Sequence, residues 1–114
     1  MIDYLVESER LKDEGNGELK NNHFEKAVEF YTKAIETAQS EGSRVPKSKV
    51  AIYYANRAFA HIKLENYGLA IPDAEESIVN NPEYEKAYMR LAFAKEVLQH
   101  YKEAYTAYLK VFAH

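Results

Sequence analysis

The chain contains no cysteine and no tryptophan, and only 4 glycines and 3 prolines among its 114 residues. Without cysteine there are no disulfides, no thiolate nucleophile and no thiolate zinc site. With so little glycine there is no loop to cradle a phosphate and no nucleophile elbow. No apolar run approaches the roughly 20 residues that a membrane-spanning helix needs. The opening Met1-Ile2-Asp3-Tyr4-Leu5 lacks the basic start of a secretion signal. Positive charge is also short: the net charge is −3, so the chain has no broad basic surface for nucleic acid or membrane, and any basic site must be local. His23, His61, His100 and His114 are scattered with no i, i+4 pair, which gives a metal site only weak support. These absences set the expectation of an intracellular, non-catalytic domain that uses no cofactor and no metal.

What the chain does have is apolar periodicity. Hydrophobic residues make up 46%, with 10 tyrosines, enough for one small domain with a core. Three segments repeat an aromatic-x-x-alanine pattern: Phe24 to Ala27, Tyr67 to Ala70 and Tyr101 to Ala104. Ala70 and Ala104 stand 34 positions apart, the period of a known helix–turn–helix repeat. Ala27 and Ala70 stand 43 apart, so about nine extra residues lie between repeats one and two. Glycine and proline avoid the periodic stretches, which predicts helices throughout. Six are expected: Tyr4 to Asn21, Phe24 to Ala38, Lys49 to Glu65, Tyr67 to Asn80, Tyr84 to Gln99 and Tyr101 to Ala113. In the second, Ala27, Val28, Tyr31, Ala34 and Ile35 fall on one helical face.

The stretch Gln39 to Ser48, with its glycine, serines and proline, reads as a surface loop holding the extra residues. Gly15 is a poor helix residue and implies that another helix crosses closely there. Pro72 is expected in about the first turn of the fourth helix, where a missing N–H costs least. Asn81-Pro82 ends that helix. Asp73, Glu75 and Glu76 read as a solvated face, and Glu7-Ser8-Glu9-Arg10 as an exposed helix start. The repeats then cover about 8–38, 51–82 and 85–114 of a single domain. The array stops at Phe112-Ala113-His114, directly after the sixth helix, which reads as a chain cut short of a capping helix and of a further domain.

A helical pair cannot bury its apolar face alone, so such pairs stack, and the first helix of each lines a shared groove. The groove faces carry Lys12 and Asn16 at i, i+4 in repeat one and Asn56 in repeat two, with Phe59 and Lys63 beyond it. In repeat three they carry Lys86 and Arg90, again at i, i+4. Three cations and two amides thus meet on one side of an acidic chain. Phe59, Ile62, Met89 and Phe93, with Lys63, would form an adjoining, mainly apolar stretch.

The repeats resemble tetratricopeptide (TPR) repeats across about residues 8 to 112. In that family's pattern the eighth position is small, here Gly15, Ala58 and Ala92. The twentieth is alanine, here Ala27, Ala70 and Ala104; the twenty-fourth is aromatic or small, here Tyr31, Ala74 and Tyr108; the thirty-second is Pro82 in repeat two. The family's tryptophan is replaced by Leu11, Tyr54 and Tyr88, and repeat one has no proline near its end. The resemblance implies an all-α fold, a right-handed superhelical array of three repeats and six helices.

Lys12, Asn16, Asn56, Lys86 and Arg90 resemble the two-carboxylate clamp of chaperone-binding members of the family. The resemblance implies a peptide partner: the C-terminal tail, ending Glu-Glu-Val-Asp, of heat-shock protein 90 or heat-shock protein 70. The strings Asn56-Arg57-Ala58-Phe59-Ala60-His61 and Asn66-Tyr67-Gly68-Leu69-Ala70, with Asp73-Ala74, look most like the amino-terminal domain of protein phosphatase 5. That likeness implies the targeting and autoinhibitory part of a larger serine/threonine phosphatase, able to contact its own downstream catalytic domain, in the cytoplasm with the nucleus as a second location. The stress-induced organising protein, the small glutamine-rich family, the large immunophilins and a scaffold for internal peptide segments stay open as alternatives.

Overall fold

The computed structural model describes residues 2–113. They form six helices: α1 (Tyr4–Lys20), α2 (Phe24–Ala38), α3 (Lys47–Lys63), α4 (Tyr67–Asn80), α5 (Glu85–Val97) and α6 (Tyr101–Phe112). Consecutive helices pack in order along the chain, and α3 also touches α5 directly. The resulting stack measures 48 × 28 × 21 Å. None of the described helices is long and apolar enough to cross a membrane.

Alanine sets the spacing of the core. Ala27, Ala58, Ala70, Ala74, Ala92 and Ala94 are fully buried. A methyl side chain lets neighbouring helices approach closely, and the larger side chains then fill the space between crossings. Leu11, Ile35, Val50 and Tyr53 form the largest apolar cluster, where repeat one meets repeat two. The predicted close approach at Gly15 is real: a Cβ built there would stand 2.6 Å from Cε1 of Tyr31, whose ring is completely buried.

Within each repeat the two helices are joined by the same turn. Asn22, Glu65 and Gln99 take a left-handed backbone (φ 63°, 60° and 67°). The next residue donates its N–H back to the carbonyl five residues earlier: His23 to Glu18, Asn66 to His61 and His100 to Lys95, all at 2.8 Å. These bonds satisfy carbonyls that a helix end would otherwise leave open. Glycine usually fills the left-handed position; none of these three repeats uses it. At the chain's start, Asp3 caps α1 by accepting from the amides of Leu5 and Val6 at 3.1 Å.

Four expectations need correction. Helix α3 begins at Lys47, two residues early, because Pro46 in an extended conformation (φ −60°, ψ 145°) starts the helix directly; the loop is correspondingly shorter than Gln39 to Ser48. Pro72 lies in the second turn of α4, not the first. Its ring removes the bond to the carbonyl of Gly68, but both residues are exposed, so water can take that carbonyl. Asp73 is not on a solvated face: it is 6% exposed and receives the Arg57 fork at 2.7 and 2.8 Å. Nor is Glu7 to Arg10 a uniformly exposed start, since Ser8 is fully buried. His114 lies outside the described residues.

Candidate functional site

Asn16 sits on α1 one residue after the Gly15 crossing. Because Gly15 has no side chain, the Tyr31 ring packs against α1 and its hydroxyl donates to Oδ1 of Asn16 at 2.5 Å. Burial pushes the Tyr31 hydroxyl up to about 12, so it remains a donor across the physiological range. Asn56 on α3 donates its Nδ2 to the same oxygen at 3.4 Å. Oδ1 of Asn16 thus accepts from two sides, which fixes the orientation of that amide. The Nδ2 of Asn16 and a second hydrogen on the Nδ2 of Asn56 remain free to donate elsewhere.

Lys12, one turn before Asn16, is partly buried and already paired. Its Nζ lies 3.1 Å from Glu9 and 3.4 Å from Asp13. Burial pulls its ammonium down, but Glu9 and Asp13 more than offset that and raise it, so the charge is secure. Glu9 is shared: it also binds Lys49 of α3 at 2.9 Å and accepts from the Tyr53 hydroxyl at 3.1 Å. These contacts tie repeat one to repeat two and hold Lys12 by its carboxylate partner.

Arg90 on α5 is different. No carboxylate among the described residues pairs with it, and its Nε is buried without a hydrogen-bond partner. Burial pulls its guanidinium down, opposed by the nearby Tyr84 hydroxyl, yet a guanidinium stays charged. Its Cζ lies 4.2 Å from the centroid of the Phe59 ring. Burial pushes the Tyr84 hydroxyl up, opposed by the positive charges of Arg90 and Lys12. Lys86, one turn before Arg90, is exposed and has no ion pair among the described residues.

Beyond Arg90 lies a hollow of about 250 Å³. Phe59, Ile62 and Lys63 come to it from α3, Met89 and Phe93 from α5, and Tyr108 from α6. Its walls are apolar with two cations at the rim, suited to short aliphatic side chains next to an acidic chain end. The structure therefore brings Asn16 to Asn56, Arg90 to Phe59, and the five residues of the adjoining stretch to a single hollow. Lys86 is exposed and is not among the residues that line the hollow.

Sequence reasoning missed the supporting residues Glu9, Tyr31, Tyr53, Tyr84 and Tyr108. Only Glu9 carried a local signal, three residues before Lys12 on one helix face. Tyr31 reaches Asn16 across 15 residues and Tyr53 reaches Glu9 across 44. Among the described residues no group of side chains could hold a metal ion.

No protein-family model matches the chain. It is 41% identical over 93% of its length to the small glutamine-rich tetratricopeptide repeat-containing protein 2 of Saccharomyces cerevisiae, and covers 28% of that protein. It is 35% identical over 91% of its length to human serine/threonine-protein phosphatase 5, covering 19% of it. The chain thus spans under a third of these curated relatives. Among solved structures, the second TPR of Spaghetti (RPAP3), bound to the HSP90 peptide SRMEEVD, superposes with a TM-score of 0.83 at 31% identity, over 94% of this chain and 91% of that one. The second TPR domain of human RPAP3, in complex with the HSP70 peptide SGPTIEEVD, does so at 0.80 and 29% identity, over 96% and 82%. With three helical pairs, the small residues at their crossings and these likenesses together, the chain belongs to the tetratricopeptide repeat domains.

Proposed function

We propose that this domain binds the free C-terminal end of an acidic peptide, of the Glu-Glu-Val-Asp type carried by heat-shock protein 90 and heat-shock protein 70. The observation that carries this reading is the meeting of two hydrogen-bonded amides, Asn16 and Asn56, with Arg90, a partly buried cation that lacks a counter-ion among the described residues and whose helix α5 packs directly on the α3 of Asn56. A terminal aspartate offers two carboxylates. Asn16 and Asn56 donate to one without adding repulsion, Lys86 and Arg90 grip with charge and fork, and Lys12 closes the near side. Hydrogen bonds to charged groups contribute roughly 1.5 to 3 kcal/mol each, which offsets the ordering of a floppy tail. Affinity on the order of micromolar follows. The hollow of Ile62, Met89, Phe93 and Tyr108 takes upstream aliphatic side chains.

The domain itself is a binding module rather than an enzyme. The parent we favour is a serine/threonine phosphatase in which these repeats serve targeting and autoinhibition, with a cytoplasmic and secondarily nuclear location. The 41% identity to a small glutamine-rich protein supports a second reading, a non-enzymatic co-chaperone parent. Both use the same site.

Calorimetric titration with a peptide ending Met-Glu-Glu-Val-Asp, as free acid and as C-terminal amide, tests the clamp. Micromolar binding by the acid, lost with the amide, is expected. Equal binding of the two forms would sink the clamp and leave a scaffold for internal segments.

A further inference from the structure

The chain holds two partly buried arginines that illustrate two ways of placing a guanidinium. Arg57 is placed by hydrogen bonds: both arms of its fork go to Asp73 at 2.7 and 2.8 Å, and a third nitrogen donates to Thr32 at 3.1 Å. Its charge and donors are engaged within the fold. Arg90 has no such partner, and its Nε is buried and unbonded. Something other than hydrogen bonding holds it in the groove. Its Cζ lies over the face of Phe59, 4.2 Å from the ring centroid. Other cations near rings in this chain sit farther out: Lys63 at 5.3 Å from the same ring, Arg57 at 5.5 Å from Tyr54 and Lys33 at 5.6 Å from Phe30.

We propose that Phe59 is the positioning residue for Arg90, an aromatic platform that orients the guanidinium while leaving its terminal donors and its charge free for a peptide's terminal carboxylate. This deepens the clamp reading and rests on it. The chemistry favours a ring over a carboxylate here. An aromatic face attracts a cation through its quadrupole without cancelling the charge or competing for N–H donors. A carboxylate in the same place would hold Arg90 equally still, as Asp73 holds Arg57, but would leave it nothing to give. The planar guanidinium also lies flat on a ring, which an ammonium cannot do. Phe59 then acts through Arg90, and the ring face it turns to Arg90 is not available to peptide side chains. The upstream subsite narrows to Ile62, Met89, Phe93 and Tyr108.

The test compares the chain with Phe59→Leu and Phe59→Tyr, after thermal unfolding has established that both variants fold. The first readout needs no peptide. In the ¹⁵N–¹H spectrum the Nε–H resonance of Arg90, assigned by its loss in Arg90→Lys, should be displaced by the ring current, return to an ordinary position in Phe59→Leu and stay displaced in Phe59→Tyr. The second is affinity for the Met-Glu-Glu-Val-Asp peptide as acid and amide. Phe59→Leu should weaken the acid about threefold to tenfold and leave the weak residual binding of the amide at high peptide concentration unchanged, while Phe59→Tyr stays near the parent value. An undisplaced Arg90 resonance in the parent chain overturns the role, as does equal weakening of acid and amide in Phe59→Leu, which would make Phe59 a wall for peptide side chains. If the parent chain does not distinguish acid from amide although the resonance is displaced, the clamp reading itself falls. If it does distinguish them and Phe59→Leu keeps the same ratio, only the positioning role falls.

Discussion

The two walls of the groove are built on opposite plans. On the α1 wall the polar groups are engaged before any peptide arrives: Lys12 on Glu9 and Asp13, the oxygen of Asn16 on Tyr31 and Asn56. On the α5 wall neither cation has a counter-ion among the described residues, and Arg90 rests on a ring. The first wall supplies fixed geometry at the cost of muted charge. The second supplies unbalanced charge in a partly desolvated place, where attraction to a carboxylate is strongest. In the proposed clamp, orientation comes from one side and affinity from the other.

The sharpest way to break this contrast is to remove charge from the α5 wall. Arg90→Ala should weaken the free-acid peptide on the order of a hundredfold, the loss of two charge-assisted bonds. Titration calorimetry at two salt concentrations measures it, and the remaining binding should depend less on salt. A loss smaller than that of Lys12→Ala would reverse the assignment of the walls.

Disturbing the geometry of the α1 wall comes next. Gly15→Ala places a methyl 2.6 Å from the Tyr31 ring. The ring or the helix must shift, costing roughly 1 to 3 kcal/mol. A lower thermal midpoint is expected, together with weaker peptide binding as Tyr31 leaves Asn16. An unchanged midpoint would mean that the crossing yields easily.

Glu9 offers a pH test of the same wall. Burial pushes its carboxyl up, but bonds from Lys49, Lys12 and Tyr53 outweigh burial and hold it below its usual 4.5. A group lowered in the folded state stabilises the fold above its unfolded value, and that contribution fades as pH falls through the folded one. Glu9→Gln should therefore cost roughly 0.2 to 1 kcal/mol at neutral pH. In urea unfolding the gap to the parent chain should close as pH falls below the usual carboxylate range. A gap that persists in acid would trace to packing rather than charge.

The smallest effect concerns the turns beneath the two walls. Asn22 occupies the left-handed position below α1 and Gln99 the one below α5. Asparagine tolerates that conformation better than glutamine. Gln99→Gly should then raise stability by a few tenths to about 1 kcal/mol, and Asn22→Gly by less. Equal gains from both would show that the side chains, not the backbone, set the cost.

Much of this was legible in the residues. The spacing of alanines and aromatics placed all six helices, because helix faces repeat locally and the repeats repeat one another. Pairs one turn apart, Lys12 with Asn16 and Lys86 with Arg90, were visible for the same reason. What escaped were pairings across the stack. Glu9 meets Tyr53 across 44 residues, and Asp73 meets Arg57 across 16. In Asp73-Ala74-Glu75-Glu76, one acid turns inward while its neighbours stay in water. Composition cannot tell them apart; only the arginine arriving from α3 does. Phe59 read as a wall for peptide side chains, since nothing near it in sequence signals that Arg90 will lie on it.

The order of packing carries a mechanical consequence. Each helix leans mainly on its sequence neighbours, so the stack is a short spring with a compliant axis. The Asn16–Asn56 and Arg90–Phe59 contacts are cross-ties between the first helices of neighbouring repeats. A tail gripped by all three repeats would add a strut between the coils and stiffen the spring. Pulling the ends of the chain apart would instead spread the coils, part the cross-ties before the core, and loosen the grip. Load and ligand would thus oppose each other through the curvature of the domain.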